Sequence, residues 1–213
     1  EGEFAYTTTL SLPTGDMAVS STRRIARQLQ DTQQVIVIET QSRTPMGEVN
    51  DRYLIDGTSL RPIRRTRSQG PTQVDVEFSA REVSGEIQMQ GNEIPIDIEL
   101  DAPVFGADAA LELALAGMEL RDGLRSNLRI AEVGAQQRVR FYQVEVTGPE
   151  TIEVPEGEFE TFRVALNAID GEAGDQTHWI KADAPRHTVK VEGKLPAQMG
   201  GGDYSTVLGA PLD

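Results

Sequence analysis

Apolar and polar residues alternate with a period of two in this sequence, and that feature most restricts its fold. In QVDVEFSA, three apolar residues, Val74, Val76 and Phe78, alternate with acidic and small polar ones. EIQMQ repeats the pattern with Ile87 and Met89, and IPIDIEL, RVRFYQVEV and TFRVAL repeat it further along the chain. Successive side chains of a strand point to opposite faces, so each segment predicts a strand with one apolar and one polar face.

Short turn signals separate these segments, among them Asp56-Gly57, Gly91-Asn92 and Glu156-Gly157. One-sided strands joined by close turns predict hairpins, and therefore an antiparallel sheet. A parallel sheet covered by helices would show continuous apolar runs instead. VIVI at residues 35–38 is such a run, and it predicts a central strand that is covered on both faces.

One segment is helical in character. GADAALELALAGMELRDG is rich in alanine and leucine and has no β-branched residue, which predicts a helix from about Ala107 to Met118. Leu111, Leu115 and Met118 would share one of its faces. A second segment, STRRIARQLQ, is consistent with either a helix or a polar strand. With no repeat and no linker, we expect residues 1–213 to form a single β-rich domain.

The charge balance excludes some partners. The 213 residues include 34 acidic and 20 basic ones, for a net charge of −14, whereas nucleic-acid binding depends on clustered cations. We therefore expect no nucleic-acid partner. A local basic run, RPIRRTR, is the exception, and its cations are Arg61, Arg64, Arg65 and Arg67. It is either a docking patch for an anionic head group or acidic partner, or a strand face that pairs with surface carboxylates.

The sequence offers little support for catalysis. It contains no cysteine, and neither His178 nor His187 lies near a serine in the manner of a nucleophilic triad. His178 alternates with Trp179, so we expect one of the two to face the core and the other the solvent. Acidic loops at 101–108 and 170–175 offer oxygen ligands for calcium, but they do not match an EF-hand. We predict no catalytic residues, no metal and no cofactor.

The second half of the chain carries a recognisable motif. IEVPEGEFETFRVAL has the form of a hairpin built on a proline, a glycine, an aromatic residue and a threonine, and a tryptophan motif ending in arginine follows it. The positions are Pro155, Gly157, Phe159, Thr161, Trp179, Ile180, Asp183 and Arg186. Together with a strand containing Tyr53 and the strand LRPIRRTRS, this order resembles the bacterial domain-of-unknown-function family 3108.

That resemblance implies a fold similar to the lipoprotein carriers of the LolA type. In such a fold, a curved antiparallel sheet forms a half-barrel, and one or two short helices cover the concave face. The resemblance also implies a periplasmic or otherwise extracytoplasmic protein. The sequence begins without an initiator methionine, and we expect any export signal to have been removed. No apolar stretch approaches the ~18 residues that a membrane helix needs, so we predict no transmembrane segment.

The leading functional hypothesis is a non-catalytic carrier that holds an apolar ligand, such as a lipid or a lipoprotein acyl chain, in a half-barrel cavity. The predicted cavity and lid residues are Leu111, Leu115, Met118, Phe78, Met89 and Trp179. One alternative is a structural or protein-interaction domain without a small-molecule ligand. The other is an enzyme that uses no standard motif.

Overall fold

A computed structural model describes residues 1–45, 47–134, 137–170, 174–195 and 201–209. These residues are mainly β, with one short helix and a large sheet that does not close, which confirms the predicted mainly β class. The strands are β1 (Gly2–Leu12), β2 (Gly15–Gln30), β3 (Gln33–Thr44), β4 (Gly47–Asp56), β5 (Pro62–Gln69), β6 (Thr72–Phe78), β7 (Glu82–Met89), β8 (Asn92–Glu99), β9 (Phe105–Gly106), β10 (Arg125–Val133), β11 (Gln137–Val154), β12 (Gly157–Ala168), β13 (Gln176–Lys181), β14 (Thr188–Lys194) and β15 (Asp203–Leu208). The helix is α1 (Ala109–Ala116).

The chain divides into two compact units. Unit 1 consists of Glu1–Glu3, Thr22–Ala114 and Arg129–Arg140, and unit 2 consists of Phe4–Ser21, Leu115–Leu128 and Phe141–Asp213. In unit 1 the strand order is β8-β7-β6-β5-β4-β3, and in unit 2 it is β1-β15-β14-β13-β12-β11. All neighbours within these two series are antiparallel, as the short turns predict.

The strand register of unit 1 separates an apolar face from a polar one. Residues that pair across β3 to β8 form rows, and every member of a row lies on the same face. Two rows of the apolar face are Ile38–Tyr53–Arg65–Val76–Gly85–Ile96 and Thr40–Asp51–Arg67–Val74–Ile87–Ile94. A row of the other face is Glu39–Arg52–Thr66–Asp75–Glu86. The predicted alternation is confirmed, although three charged residues, Arg65, Arg67 and Asp51, lie within the apolar rows.

Strand β3 is an interior strand of the sheet, with β4 on one side and β2 on the other. Its VIVI run is buried throughout, with no residue of Val35 to Ile38 more than 3% exposed, which confirms the prediction of a strand covered on both faces. Ile36 and Ile38 pack with Tyr53 and Ile55 of β4 in one hydrophobic cluster. Burial of such side chains contributes about 1.5–3 kcal/mol each, so this cluster is a main source of stability for unit 1.

The helix is shorter than predicted. It spans Ala109–Ala116 rather than residues 107–118, so Met118 lies beyond its end. The residue before it, Asp108, has a φ of 53°, and this left-handed conformation sets the start of the helix. Ala109 and Ala110 are buried in the same cluster as Tyr53, because their small side chains allow close approach to the sheet. Among the described residues, no helix has the length and apolar character needed to cross a membrane.

The segment STRRIARQLQ, which fits either a helix or a polar strand, is part of strand β2. Its side chains are half-buried or exposed along its whole length. Its backbone pairs with the neighbouring strands of the sheet. Ile25 packs against the cluster formed by β3 and β4. The polar composition therefore belongs to a strand of which most side chains reach solvent.

Strand β8 lies at the end of the unit 1 series, and its described strand neighbour is β7. It contains Pro95, which has no backbone N–H to offer. The carbonyl oxygen of Pro95 accepts a hydrogen bond of 2.9 Å from Nε2 of Gln137. At Pro95, therefore, the backbone has no donor for another strand and its carbonyl oxygen is already bonded.

Unit 2 contains the predicted hairpin of the second half. Strands β11 and β12 are joined by the two-residue turn Pro155-Glu156, and Gly157 after it has a φ of +137°. One expectation was wrong: His178 and Trp179 are both buried, at 2% and 8% exposure. The Trp179 ring is covered because it donates a hydrogen bond to Glu150 and lies 4.8 Å beneath the ammonium of Lys190.

Candidate functional site

A pocket of about 320 Å³ opens on the apolar face of unit 1. It is formed by strands β5 to β8 and by the residues where β10 and β11 meet. Its lining residues are Arg65, Arg67, Gln69, Thr72, Val74, Ile87, Met89, Ile94, Val133, Gly134 and Gln137. The pocket therefore combines five apolar side chains with two cations and three neutral polar groups.

Two of the apolar lining residues are unusually open to solvent. Met89 is 44% exposed and Ile94 is 38% exposed, while Ile87 between them in the sheet is buried. When a ligand covers large apolar side chains that line a concave surface and are exposed to water, their burial favours binding. The open Met89 and Ile94 mark this pocket as an apolar binding surface.

The charge of the lining has one sign. Arg65 and Arg67 are its charged residues, and no acidic side chain is among the described residues that line it. Arg67 is half-buried and makes no ion pair or side-chain hydrogen bond with any residue that the structure describes. The chain has 34 acidic and 20 basic residues, so a pocket whose charged lining residues are all basic differs in charge from the chain as a whole.

The second cation, Arg65, is fixed by a buried network. It is 4% exposed, and its Nε and Nη2 atoms bind the two oxygens of Asp51 at 3.0 and 2.5 Å. Nη2 also binds Oδ2 of Asp108 at 2.8 Å, and the guanidinium carbon lies 4.9 Å from the centre of the Tyr53 ring. Two aspartates and an aromatic face therefore hold this guanidinium in one orientation.

Electrostatics keep this network ionised. Burial raises the pKa of Asp108, but Arg65, Arg67 and Arg23 outweigh it and hold that pKa below the ordinary value. Burial also opposes the charge of Arg65, yet Tyr53, Asp108 and Asp51 keep its pKa well above the ordinary value. The Asp108 side chain is 61% accessible, so this end of the network is in contact with water.

The four arginines of the predicted basic patch do not act together. Arg64 points to the polar face, where it forms a two-pronged ion pair with Asp75 at 2.8 and 2.5 Å. Arg61 is exposed in the turn before β5. Arg65 and Arg67 are on the apolar face and line the pocket. Arg64 therefore pairs with a surface carboxylate, which is one of the two alternatives for RPIRRTR, whereas Arg65 and Arg67 line the pocket.

The six predicted cavity residues occupy different places. Met89 lines the pocket, and Phe78 is half-buried between the two hydrophobic clusters of unit 1. Leu111 and Leu115 are buried within α1. Met118 follows the helix in unit 2, and Trp179 lies in β13 of that unit.

Two other pockets are polar. One of about 540 Å³ in unit 1 is lined by charges of both signs, and two of these, Glu39 and Arg52, pair with each other at 3.4 Å. One of about 340 Å³ in unit 2 is lined mostly by hydroxyl, amide and charged groups. We take the smaller apolar pocket as the site, because ligand sites are mainly apolar with a few convergent polar groups.

The described side chains of the two histidines and of the two acidic loops have the following partners. His178 hydrogen-bonds Gln176 at 3.0 Å, and His187 lies 4.8 Å from the Phe4 ring, with a pKa lowered mainly by burial. Asp101 and Asp108, the acids of the first candidate calcium loop, are both bound by arginine. Residues 171–173 of the second loop lie outside the described residues. Within the described part of the chain, no three metal-ligating side chains come together.

The comparison with known families decides the membership of the chain. Residues 5–203 match the family model described as "Protein of unknown function (DUF3108)". The chain belongs to this family. No curated protein and no solved structure matches the chain.

Three residues of the hairpin and tryptophan motifs, Pro155, Gly157 and Arg186, have structural roles in unit 2. Pro155 and Gly157 form the β11–β12 turn. Arg186 donates hydrogen bonds to the carbonyl oxygens of Ala182 at 3.1 Å and Met118 at 2.8 Å. Arg186 thus ties the segment after α1 to the β13–β14 connection.

Proposed function

We propose that this protein is a non-catalytic binding module of the cell envelope that holds the acyl chain of a lipid or a lipid-modified protein. The pocket on the apolar face of unit 1 carries the proposal. Val74, Ile87 and Ile94 form a continuous cross-strand row there, and Met89 and Val133 extend the apolar lining. Such a strip of aliphatic and thioether groups complements a flexible hydrocarbon chain.

The size of the pocket favours one chain. Its volume of about 320 Å³ lies at the small end of the ~300–1,000 Å³ that small-molecule sites span. Each buried methylene contributes about 0.8 kcal/mol, so a chain of medium length supplies enough free energy for measurable affinity. A lipid with two chains would fill the pocket with one and leave the other to a partner or membrane.

We also propose that the sheet is a half-barrel of the LolA-like type and that the protein works in the periplasm or another extracytoplasmic compartment. Family membership and the one-sided strands support this proposal. Expression of the complete gene followed by fractionation of the cells checks the compartment. Recovery of the protein in the cytoplasmic fraction would contradict it.

Uncharged alcohols test the apolar pocket by itself. We expect octanol, decanol and dodecanol to bind the protein with a 1:1 stoichiometry in isothermal titration calorimetry. Affinity should rise roughly tenfold for each two methylenes until the pocket is full. Saturation of this gain gives the length of chain that the pocket accepts.

A matched pair of variants locates the binding. Ile94→Glu places a charge in the pocket, whereas Leu29→Glu places one on another exposed aliphatic position of unit 1, where Leu29 is 70% exposed. We expect Ile94→Glu to abolish dodecanol binding and Leu29→Glu to leave it unchanged. Equal effects of the two variants, or no binding of any alcohol by the unmodified protein, would refute an acyl-chain pocket in unit 1.

A protein-interaction domain is the second candidate. Phe141 and Ile169 of unit 2 are 41% and 57% exposed, and a backbone hydrogen bond of 3.0 Å from Ile169 to Phe141 holds them side by side. An exposed aromatic–aliphatic pair is a common anchor for a protein partner. Replacement of both residues by serine would weaken such an interaction while alcohol binding in unit 1 persists.

A further inference from the structure

We propose that the ligand is a single-chain amphiphile with an anionic end group, a carboxylate or a phosphate, which Arg67 binds while the chain lies over Val74, Ile87 and Ile94. This inference rests on the proposed function and narrows its ligand class. The site is one cross-strand row of the sheet, in which a cation is followed by three aliphatic side chains.

The position of Arg67 supports this arrangement. It pairs directly with Val74 across β5 and β6, and Val74 pairs with Ile87, which pairs with Ile94. Neighbouring strands lie about 4.8 Å apart, so three steps across the row extend about 14 Å. That span matches an extended alkyl chain whose charged end is at Arg67.

Arg67 makes no ion pair and no side-chain hydrogen bond with the described residues, although Asp51 is its neighbour across the sheet and its charge lowers the pKa of Asp108. A half-buried guanidinium loses part of its hydration, and that loss is recovered when an anion binds it through charge-assisted hydrogen bonds. Ion pairs supply this compensation for Arg65 through Asp51 and Asp108, and for Arg64 through Asp75. An anionic ligand would supply it for Arg67.

Arg65 adds to the selectivity of the same pocket. Its bonds to the described residues use Nε and Nη2, so Nη1 remains for a ligand at the lining. Since Asp51 and Asp108 fix the guanidinium, it cannot move away when a cationic ligand approaches. Because the two carboxylates compensate its charge, Arg65 offers a ligand a hydrogen-bond donor, and the preference for an anionic end group depends on Arg67.

Four ligands with the same chain separate the contributions of charge and hydrocarbon. We expect dodecanoate and dodecyl phosphate to bind the full chain at least tenfold more tightly than dodecanol, and dodecyltrimethylammonium more weakly than dodecanol. All are titrated below the concentrations at which they aggregate. Inorganic phosphate and acetate, titrated alone, test for a site that binds a free anion without a chain.

Two variants test whether Arg67 causes the preference for an anionic end group. Arg67→Gln should remove the tenfold preference for dodecanoate over dodecanol. Arg64→Gln is the matched control, because Arg64 is on the same strand but on the polar face, and it should retain the preference. Far-ultraviolet circular dichroism establishes that both variants are folded.

The outcomes separate this inference from the proposed function. If dodecanol binds as tightly as dodecanoate, the pocket holds chains but does not select anions, and the inference fails alone. If inorganic phosphate binds Arg67 as tightly as dodecyl phosphate, the site is one for free anions and the amphiphile is wrong. If no chain of any charge binds, the proposed function fails as well.

Discussion

Arg65 of β5 binds Asp108, the residue immediately before α1, through an ion pair of 2.8 Å. Asp108 is in a left-handed conformation with a φ of 53°, which costs free energy in a residue other than glycine. The arginine that lines the pocket therefore also holds the start of the helix. Ala109 and Ala110, which follow, are fixed against the sheet by the same contact.

The first prediction concerns that network. Arg65→Met removes the cation and leaves Asp51 and Asp108 without it, so we expect the free energy of unfolding to fall by about 3 kcal/mol. Urea-induced unfolding followed by circular dichroism measures the change. Arg64→Met serves as control: its ion pair with Asp75 is nearly half-exposed, and its loss should cost less than about 1 kcal/mol. Equal losses would contradict a structural role for the Arg65 network.

The second prediction concerns acid stability. Hydrogen bonds from the backbone and side chain of Ser59, and from Gln33 and Thr58, lower the pKa of Asp56 from 3.8 to about 2. A folded-state pKa below the ordinary value gives stability that is complete above about pH 4 and is lost as the pH falls towards 2. Asp56→Asn should be less stable than the original protein at pH 7, by about 1 kcal/mol. The difference in urea midpoint should shrink steadily between pH 4 and pH 2, and a constant difference would argue against this assignment.

The third prediction tests the packing of β9 against Tyr53. A Cβ atom at Gly106 would lie 2.9 Å from Cε1 of Tyr53 and 2.9 Å from Cβ of Ala110. Gly106→Ala should therefore lower the free energy of unfolding by about 1–3 kcal/mol. At Gly134 the same added atom meets nothing within 4 Å, so Gly134→Ala should leave stability nearly unchanged. A neutral Gly106→Ala variant would indicate that Tyr53 has room to move.

The fourth prediction concerns the arginine of the DUF3108 motif. Arg186→Met removes the hydrogen bonds to Met118 and Ala182, and the segment after α1 loses an attachment within unit 2. We expect residues 117–124 to exchange their amide hydrogens at least tenfold faster, as measured by mass spectrometry. Arg163 of β12 is exposed and makes no side-chain contact of this kind in the described residues, so Arg163→Met is the control. Unchanged exchange in Arg186→Met would assign this arginine another role.

Much of unit 1 follows from sequence because strand periodicity is a strict geometric rule. Val74, Ile87 and Ile94 occupy the apolar face predicted from alternation, and their register brings them together in one row. The turn at Asp56-Gly57 was also predictable, because the Asp56 side chain accepts hydrogen bonds from the next residues in the manner of an Asx turn. The helix was predicted from composition, while its exact ends depend on Asp108.

The pocket arginines could not be placed from sequence. The alternation rule assigns an arginine to the face of the strand that is in contact with water. In addition, the pairing of β4 with β5 shifts register between Leu54 and Ile55, so the cross-strand neighbours of the arginines cannot be predicted by counting residues from the turn. Arg65 is tolerated on the apolar face because two carboxylates distant in sequence compensate its charge. The burial of both His178 and Trp179 was not predicted for a related reason: Lys190 and Glu150 cover Trp179, and no local pattern connects them to it.

The hydrogen bond from Gln137 to Pro95 has a consequence for how molecules of this protein meet. The unpaired backbone groups of an open strand edge can form hydrogen bonds with a strand of another molecule, and such pairing can lead to aggregation. On β8 the proline provides no donor and its acceptor is already occupied by a side chain, so a visiting strand would lose two of its bonds there. The protein can thus expose apolar side chains beside this edge and still resist self-assembly through it.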